Sequence, residues 1–228
     1  MGKFVVIEGI DGSGKTTIAH NISDLLNEKG CKSIFINKKN TDICDDYIKK
    51  FMGNIRKSLW ENLPTDPVGE VPEKAWLFLH SLWYTMMEEK VIKPLIEEYD
   101  YVIMDGWYYK FLARHLTNGE FNFDLSYSII DTLTSGDYIY LLDIEPEECF
   151  KRRSDYKPSE LGAHEVGKED KGESNLDKFV RYQSMVRSRF IDFGKKYGFV
   201  VVDTNNKGIE EVSEEIVNNI LAKKEQTN

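Results

Sequence analysis

Residues 9 to 16 read Gly9-Ile10-Asp11-Gly12-Ser13-Gly14-Lys15-Thr16 and fit the spacing G-x-x-x-x-G-K-[ST] at every fixed position. The chemistry this spacing serves is the holding of polyphosphate. Glycines let the backbone wrap closely around an anion with its N–H groups turned inward. Lys15 can reach the β- and γ-phosphates, the Thr16 hydroxyl is placed to ligate Mg²⁺, and Ser13 and Thr17 complete the phosphate-binding set. A helix that starts at Lys15 adds its positive end to the same place. Lys and Thr together suit a nucleoside triphosphate, so ATP with Mg²⁺ is the expected ligand.

The elements around the motif agree with it. Phe4-Val5-Val6-Ile7 is a short apolar strand running into Glu8-Gly9, and Lys15 to Glu28 has the apolar period of a helix stopped by Gly30. Further strands are expected at 33–36, 101–104, 138–142 and 199–202, the last three ending at Asp105, Asp143 and Asp203. Helices are expected at 44–60, 73–98 (kinked or broken at Pro94) and 209–223. Short strands, apolar on both faces and separated by helices, predict an α/β fold. The expected architecture is a P-loop NTPase, a doubly wound five-stranded parallel sheet with helices on both faces. Residues 154–178 are polar, rich in Gly, Glu and Lys and without apolar period, and read as a mobile lid on a single domain spanning 1–228.

Composition narrows the partners. The 228 residues are 41% hydrophobic and 30% charged, as in an ordinary globular protein. Thirty Lys and Arg against 39 Asp and Glu leave a net charge of −9, which repels a phosphate backbone and argues against a general nucleic-acid binder. No apolar run approaches the ~18 residues of a membrane span, and the opening residues resemble neither a signal peptide nor a myristoylation site. Cys31, Cys44 and Cys149 are scattered and lack metal-ligand spacing, as expected of thiols in the cytoplasm.

The motif alone does not distinguish kinases from GTPases or ATPase motors. A GTPase switch carries Asn-Lys-x-Asp; Asn37-Lys38-Lys39-Asn40 is the nearest approach and lacks the Asp. Motors carry a second acidic residue after the strand-terminal Asp, where Asp105 is followed here by Gly106. Small size and a polar lid favour a phosphotransferase that closes over two small-molecule substrates and excludes water.

The stretch Phe4 to Thr17 resembles the opening of thymidylate kinases. The resemblance continues through Leu77-Phe78, Val91-Ile92-Lys93-Pro94-Leu95, Asp105, Leu141 to Glu147 with Arg152-Arg153, Phe179 to Phe190, and Val200-Val201-Val202-Asp203. It implies an ATP-dependent kinase of a (deoxy)nucleoside monophosphate, commonly homodimeric, with the following roles. Asp11 would meet the acceptor sugar hydroxyl. Asp105 would bind Mg²⁺ and help orient the acceptor phosphate. Arg152 and Arg153 would flank ATP, one on adenine and one near the transferring phosphoryl group. With Lys15, these make the expected catalytic set.

Departures gather on the acceptor side. The family's Asp-Arg stands here as Asp105-Gly106, removing an arginine that holds the acceptor phosphate; Lys38, Lys39, Lys110 and Arg114 are the cations that could replace it. The family's stacking Phe falls on His80, and the arginine facing thymine on Tyr84. Gly12 resembles the type that supplies a lid arginine, yet 154–178 holds only Lys157, Lys168, Lys171 and Lys178 among seven acidic residues. With Trp107 and Tyr108 expected at the mouth of the site, the reading is an enlarged aromatic acceptor pocket. That pocket implies weak activity on dTMP and a better acceptor elsewhere. The alternatives are a kinase of a nucleoside, modified nucleotide or specialised metabolite, and a non-catalytic nucleotide-binding module.

Overall fold

Successive residues of a strand face opposite sides of a sheet, and both sides of these strands are apolar. The computed structural model describes residues 1–37, 39, 44–63, 66, 70–119, 123–162 and 172–227. Within it β1 (Lys3–Glu8), β2 (Ser33–Ile36), β3 (Tyr101–Asp105), β4 (Tyr138–Asp143) and β5 (Val200–Asp203) pair in parallel in the order β2-β3-β1-β4-β5. Phe4, Val6, Val102, Met104, Ile139 and Leu141 point to one face, and Val5, Ile7, Tyr101, Ile103, Tyr140 and Leu142 to the other. Strands of four to six residues bury too little to stand alone, so helices must cover both faces.

The helices, in chain order, are α1 (Lys15–Glu28), α2 (Asp46–Trp60), α3 (Glu73–Met87), α4 (Lys93–Glu98), α5 (Tyr108–Asn118), α6 (Phe123–Ile130), α7 (Pro146–Lys151), α8 (Asn175–Tyr197) and α9 (Ile209–Thr227). Helices α1 and α9 cover one face through Ile18, Ile22, Leu26, Val212, Ile216 and Ile220. The other face is covered by α2, α3, α5 and α8, whose Met52, Trp83, Leu112 and Val186 join a larger core.

Register places the site. Ile7 pairs with Asp105 and Glu8 with Leu141, so the turn after the central strand β1 emerges between the carboxyl ends of β3 and β4. That is where open parallel sheets bind ligands.

One expectation is corrected. The single helix expected over 73–98 is α3, a π-helical turn over Glu88–Ile92, and α4. Pro94 has no N–H for the Lys90 carbonyl four residues back; the Cys44 thiol lies 3.7 Å from that oxygen and donates to it instead. Within the π-helical turn Glu88 is 6% exposed and accepts from the Thr134 backbone N–H at 3.0 Å and from the Thr134 hydroxyl.

The segment expected to be a mobile lid, 154–178, is anchored at both ends. Tyr156 stacks on Phe150 at 4.2 Å, Leu161 packs against the core, and α8 already begins at Asn175. Its stretch 163–171, with Lys168 and Lys171, lies outside the described residues. The anchoring escapes a periodicity reading because it rests on two isolated apolar residues. Past the segment, α8 is fixed to the sheet by Arg187, whose Nε and Nη2 donate to the two Asp143 carboxylate oxygens at 2.6 and 3.0 Å.

Candidate functional site

The turn after β1 closes tightly because it lacks side chains where it meets α7. Gly12 has φ +81°, and a Cβ there would lie 3.0 Å from the Cys149 carbonyl oxygen. Gly9 enters the turn and Gly14 leads into α1, whose first residue is Lys15. The Lys15 ammonium lies inside the loop, donating to the Ile10 carbonyl at 2.6 Å and the buried Ser13 hydroxyl at 3.3 Å. An anion in the loop would take over those donors. Thr17 is exposed on the first turn of α1.

Thr16 and Asp105 meet as the register demands. The Thr16 hydroxyl donates to Asp105 Oδ2 at 2.5 Å. Asp105 is only 9% exposed, and its Oδ1 is buried with no hydrogen-bond partner among the described residues. A hydroxyl beside a buried carboxylate oxygen lacking a partner fits a hard divalent cation such as Mg²⁺.

Asp11, 7% exposed, lies deeper and is ionised. Burial works against its charge, but Arg114, then Lys110 and Lys15, outweigh it and hold the carboxyl well below the usual range. Lys110 Nζ donates to Oδ1 and Arg114 Nη2 to Oδ2. Gln183 of α8 donates to Oδ2 at 3.3 Å and accepts from the Asp11 backbone N–H at 3.1 Å. Gln183 gave no sequence signal, since the long α8 pattern marks it only as a helical residue.

The arginines after α7 differ. Arg152 is exposed, whereas Arg153 pairs with the buried Glu160 at 3.1 Å and lies 5.9 Å over the Tyr156 ring. Glu160, in the anchored part of the expected lid, is therefore what positions Arg153.

On the acceptor side the structure corrects the expected pocket. Tyr84, Trp107 and Tyr108 are 2%, 0% and 1% exposed and belong to the core. Trp107 donates its backbone N–H to Glu8 at 2.7 Å and its indole N–H to the Thr134 carbonyl at 3.0 Å. Tyr84 packs edge-on against Trp107 at 5.1 Å. No face of these rings is left for a ligand. Gly106 explains the inward turn: at φ +82° its own N–H reaches the Ile7 carbonyl at 2.9 Å, a conformation an arginine rarely adopts.

The half-exposed aromatics are others. His80 stacks on Phe111 at 3.9 Å, with Trp60 6.0 Å and Trp76 6.4 Å from the same imidazole. Lys38 lies outside the described residues. Its neighbour Lys39 sits 5.1 Å over the Trp60 ring. Burial, then Lys157 and Arg56, lower the pKa of Lys39, while Glu61 and then Asp105 work in the opposite sense. Trp60, Trp76 and Phe111 come from three different helices, so no spacing in the sequence joins them.

Trp107→Ala is expected to cost about 3–5 kcal/mol of stability by urea denaturation while leaving the KM for ATP unchanged. A variant as stable as the parent but altered in acceptor binding would return Trp107 to the pocket.

Comparison with known proteins agrees with the fold. The chain is 32% identical over 226 residues, 98% of its length and 97% of the relative's, to a probable thymidylate kinase of Methanococcus maripaludis. It is 28% identical over 229 residues to a thymidylate kinase of Prochlorococcus marinus, covering 96% and 97% of the two chains. The structure superimposes on a thymidylate kinase of Candida albicans with a TM-score of 0.65 at 20% identity, over 98% of this chain and 92% of that one. Residues 7–216 match the sequence model described as thymidylate kinase, and the chain belongs to that family.

Proposed function

We propose that the protein, acting as one P-loop kinase domain over residues 1–228, transfers the γ-phosphoryl group of ATP to the phosphate of a deoxynucleoside monophosphate, with dTMP as an acceptor. Membership of the family makes it a phosphotransferase of the nucleoside monophosphate kinase class. The observation that carries the mechanism is the convergence of Lys15, Thr16 and Asp105 at the carboxyl ends of β1 and β3.

In this reading an acceptor phosphate oxygen forms a bond to the γ-phosphorus while the bond to the bridging β–γ oxygen breaks, leaving ADP. An acceptor phosphate is already anionic near neutral pH, so no side chain need remove a proton. Lys15 and the loop N–H groups align the donor, and Arg152 and Arg153 add positive charge beside it. Thr16 and Asp105 would hold Mg²⁺, which supplies charge neutralisation on the phosphate oxygens when bound. The half-exposed group of His80, Phe111, Trp60 and Trp76 offers a stacking surface for the acceptor base. A nucleoside acceptor fits less well, because its hydroxyl needs a carboxylate base: Asn37 follows β2, and Asp11 already holds two cations.

The expectation of weak dTMP activity rested partly on Tyr84, Trp107 and Tyr108 enlarging the pocket, and their burial removes that ground. Three cysteines without a disulfide accord with a cytoplasmic site of action. A homodimer through α3 is supported by Phe78 and Leu82, one turn apart on that helix and 49% and 41% exposed.

ADP release from MgATP, measured across monophosphates and their parent nucleosides, is expected to be stimulated by dTMP; stimulation by thymidine but not dTMP would overturn the assignment. Lys15→Ala should keep the fold and slow transfer roughly a thousandfold. A variant retaining half the parental turnover would contradict its role. Light scattering should give about twice the chain mass of 26.5 kDa, and Phe78→Glu with Leu82→Glu should return the monomer. A monomeric parent protein would remove the dimer.

A further inference from the structure

Gly106 leaves the acceptor phosphate without a cation from the loop after β3, yet two cations stand one helical turn apart on α5. Lys110 and Arg114 are spaced i, i+4, so both leave the same face of the helix. Both end on Asp11, with side chains only 13% and 24% exposed. The match is unequal. One carboxylate faces two cations and the charge of Lys15 as well, while the nearby Glu160 is already paired with Arg153 and acts on Arg114 only at longer range. Donors are also left over. Arg114 gives Nη2 to Asp11, while its Nε is buried without a hydrogen-bond partner among the described residues. The Lys110 ammonium carries three N–H donors.

The surplus positive charge and the unused buried donor call for a second anion. A largely buried cation pair is suited to a phosphate dianion. Phe111 lies between the two cations in sequence and stacks with His80, so one helix presents both the charged and the aromatic surface.

We propose that Lys110 and Arg114 form the clamp for the acceptor phosphate, taking the place of the arginine absent at position 106, with Asp11 holding the two side chains in position. The proposal rests on the kinase reading and deepens it. An ion network that only ties the loop to α5 would have no preference for a phosphorylated ligand, and that difference supplies the test.

Binding of dTMP and of thymidine is measured by calorimetry without ATP, on the parent protein and on Lys110→Met, Arg114→Met and Arg114→Lys, with thermal melting followed by circular dichroism. Each methionine variant is expected to lose roughly ten- to a hundredfold in dTMP affinity with thymidine affinity unchanged. Arg114→Lys keeps the charge and the fold, and should lose several-fold for dTMP alone. Equal losses for dTMP and thymidine, or full retention of dTMP affinity, would overturn the clamp. Should the methionine variants fail to fold, Arg114→Lys decides by the same comparison. Absence of ADP release with every acceptor would count against the kinase reading instead, and the calorimetric difference between dTMP and thymidine would still judge the clamp.

Discussion

A carboxylate withdrawn from water needs positive partners, and the way Asp11 obtains them organises the whole ligand-binding edge. Desolvating the charge costs several kcal/mol unless it is paired and hydrogen-bonded. Helix α5 supplies two cations and α8 the amide of Gln183. The loop that would wrap the donor phosphates is thereby tied to α5 and α8. Asp11 is the joint, and the backbone of the loop cannot shift without disturbing both helices.

What the sequence makes legible follows from the range of each signal. The five strands, the loop from Gly9 to Thr16, and α1 are local patterns, and the structure places them within a residue or two of where periodicity does. The meeting of Thr16 with Asp105 is non-local but follows from β1 lying beside β3. Trp107 is different, because composition alone cannot tell a core aromatic from one that lines a pocket. Its burial depends on the backbone reversal at Gly106, which is a matter of one dihedral angle. The cluster of Trp60, Trp76, His80 and Phe111 depends on how three helices pack, and helix packing leaves no fixed spacing in the chain.

The acceptor side and the donor side therefore differ in kind. Donor recognition uses backbone N–H groups and a few small residues, which tolerate little variation. The clamp proposed on α5 would instead use long side chains on a helix, and these can be exchanged between neighbouring positions if the charge arrives in the same volume. Two cations on α5 in place of one at 106 would be an exchange of that type, needing no change in the sheet or the loop.

The π-helical turn between α3 and α4 carries one residue more than an α-helical path would need. Each residue of an α-helix turns the chain by about 100°. Deleting a residue within α3 would therefore rotate everything upstream by that angle, whereas the π-helical turn can give up its extra residue and close to an unbroken ladder with α3 and α4 keeping nearly their mutual phase. His80 and Tyr84 would stay against Phe111 and Trp107, and the contacts of Glu88 with Thr134 would be the ones disturbed. Single-residue deletions should consequently be tolerated better within 88–92 than within α3 itself. This short stretch gives the long helix slack in length, and Glu88 in it is tied by its identity.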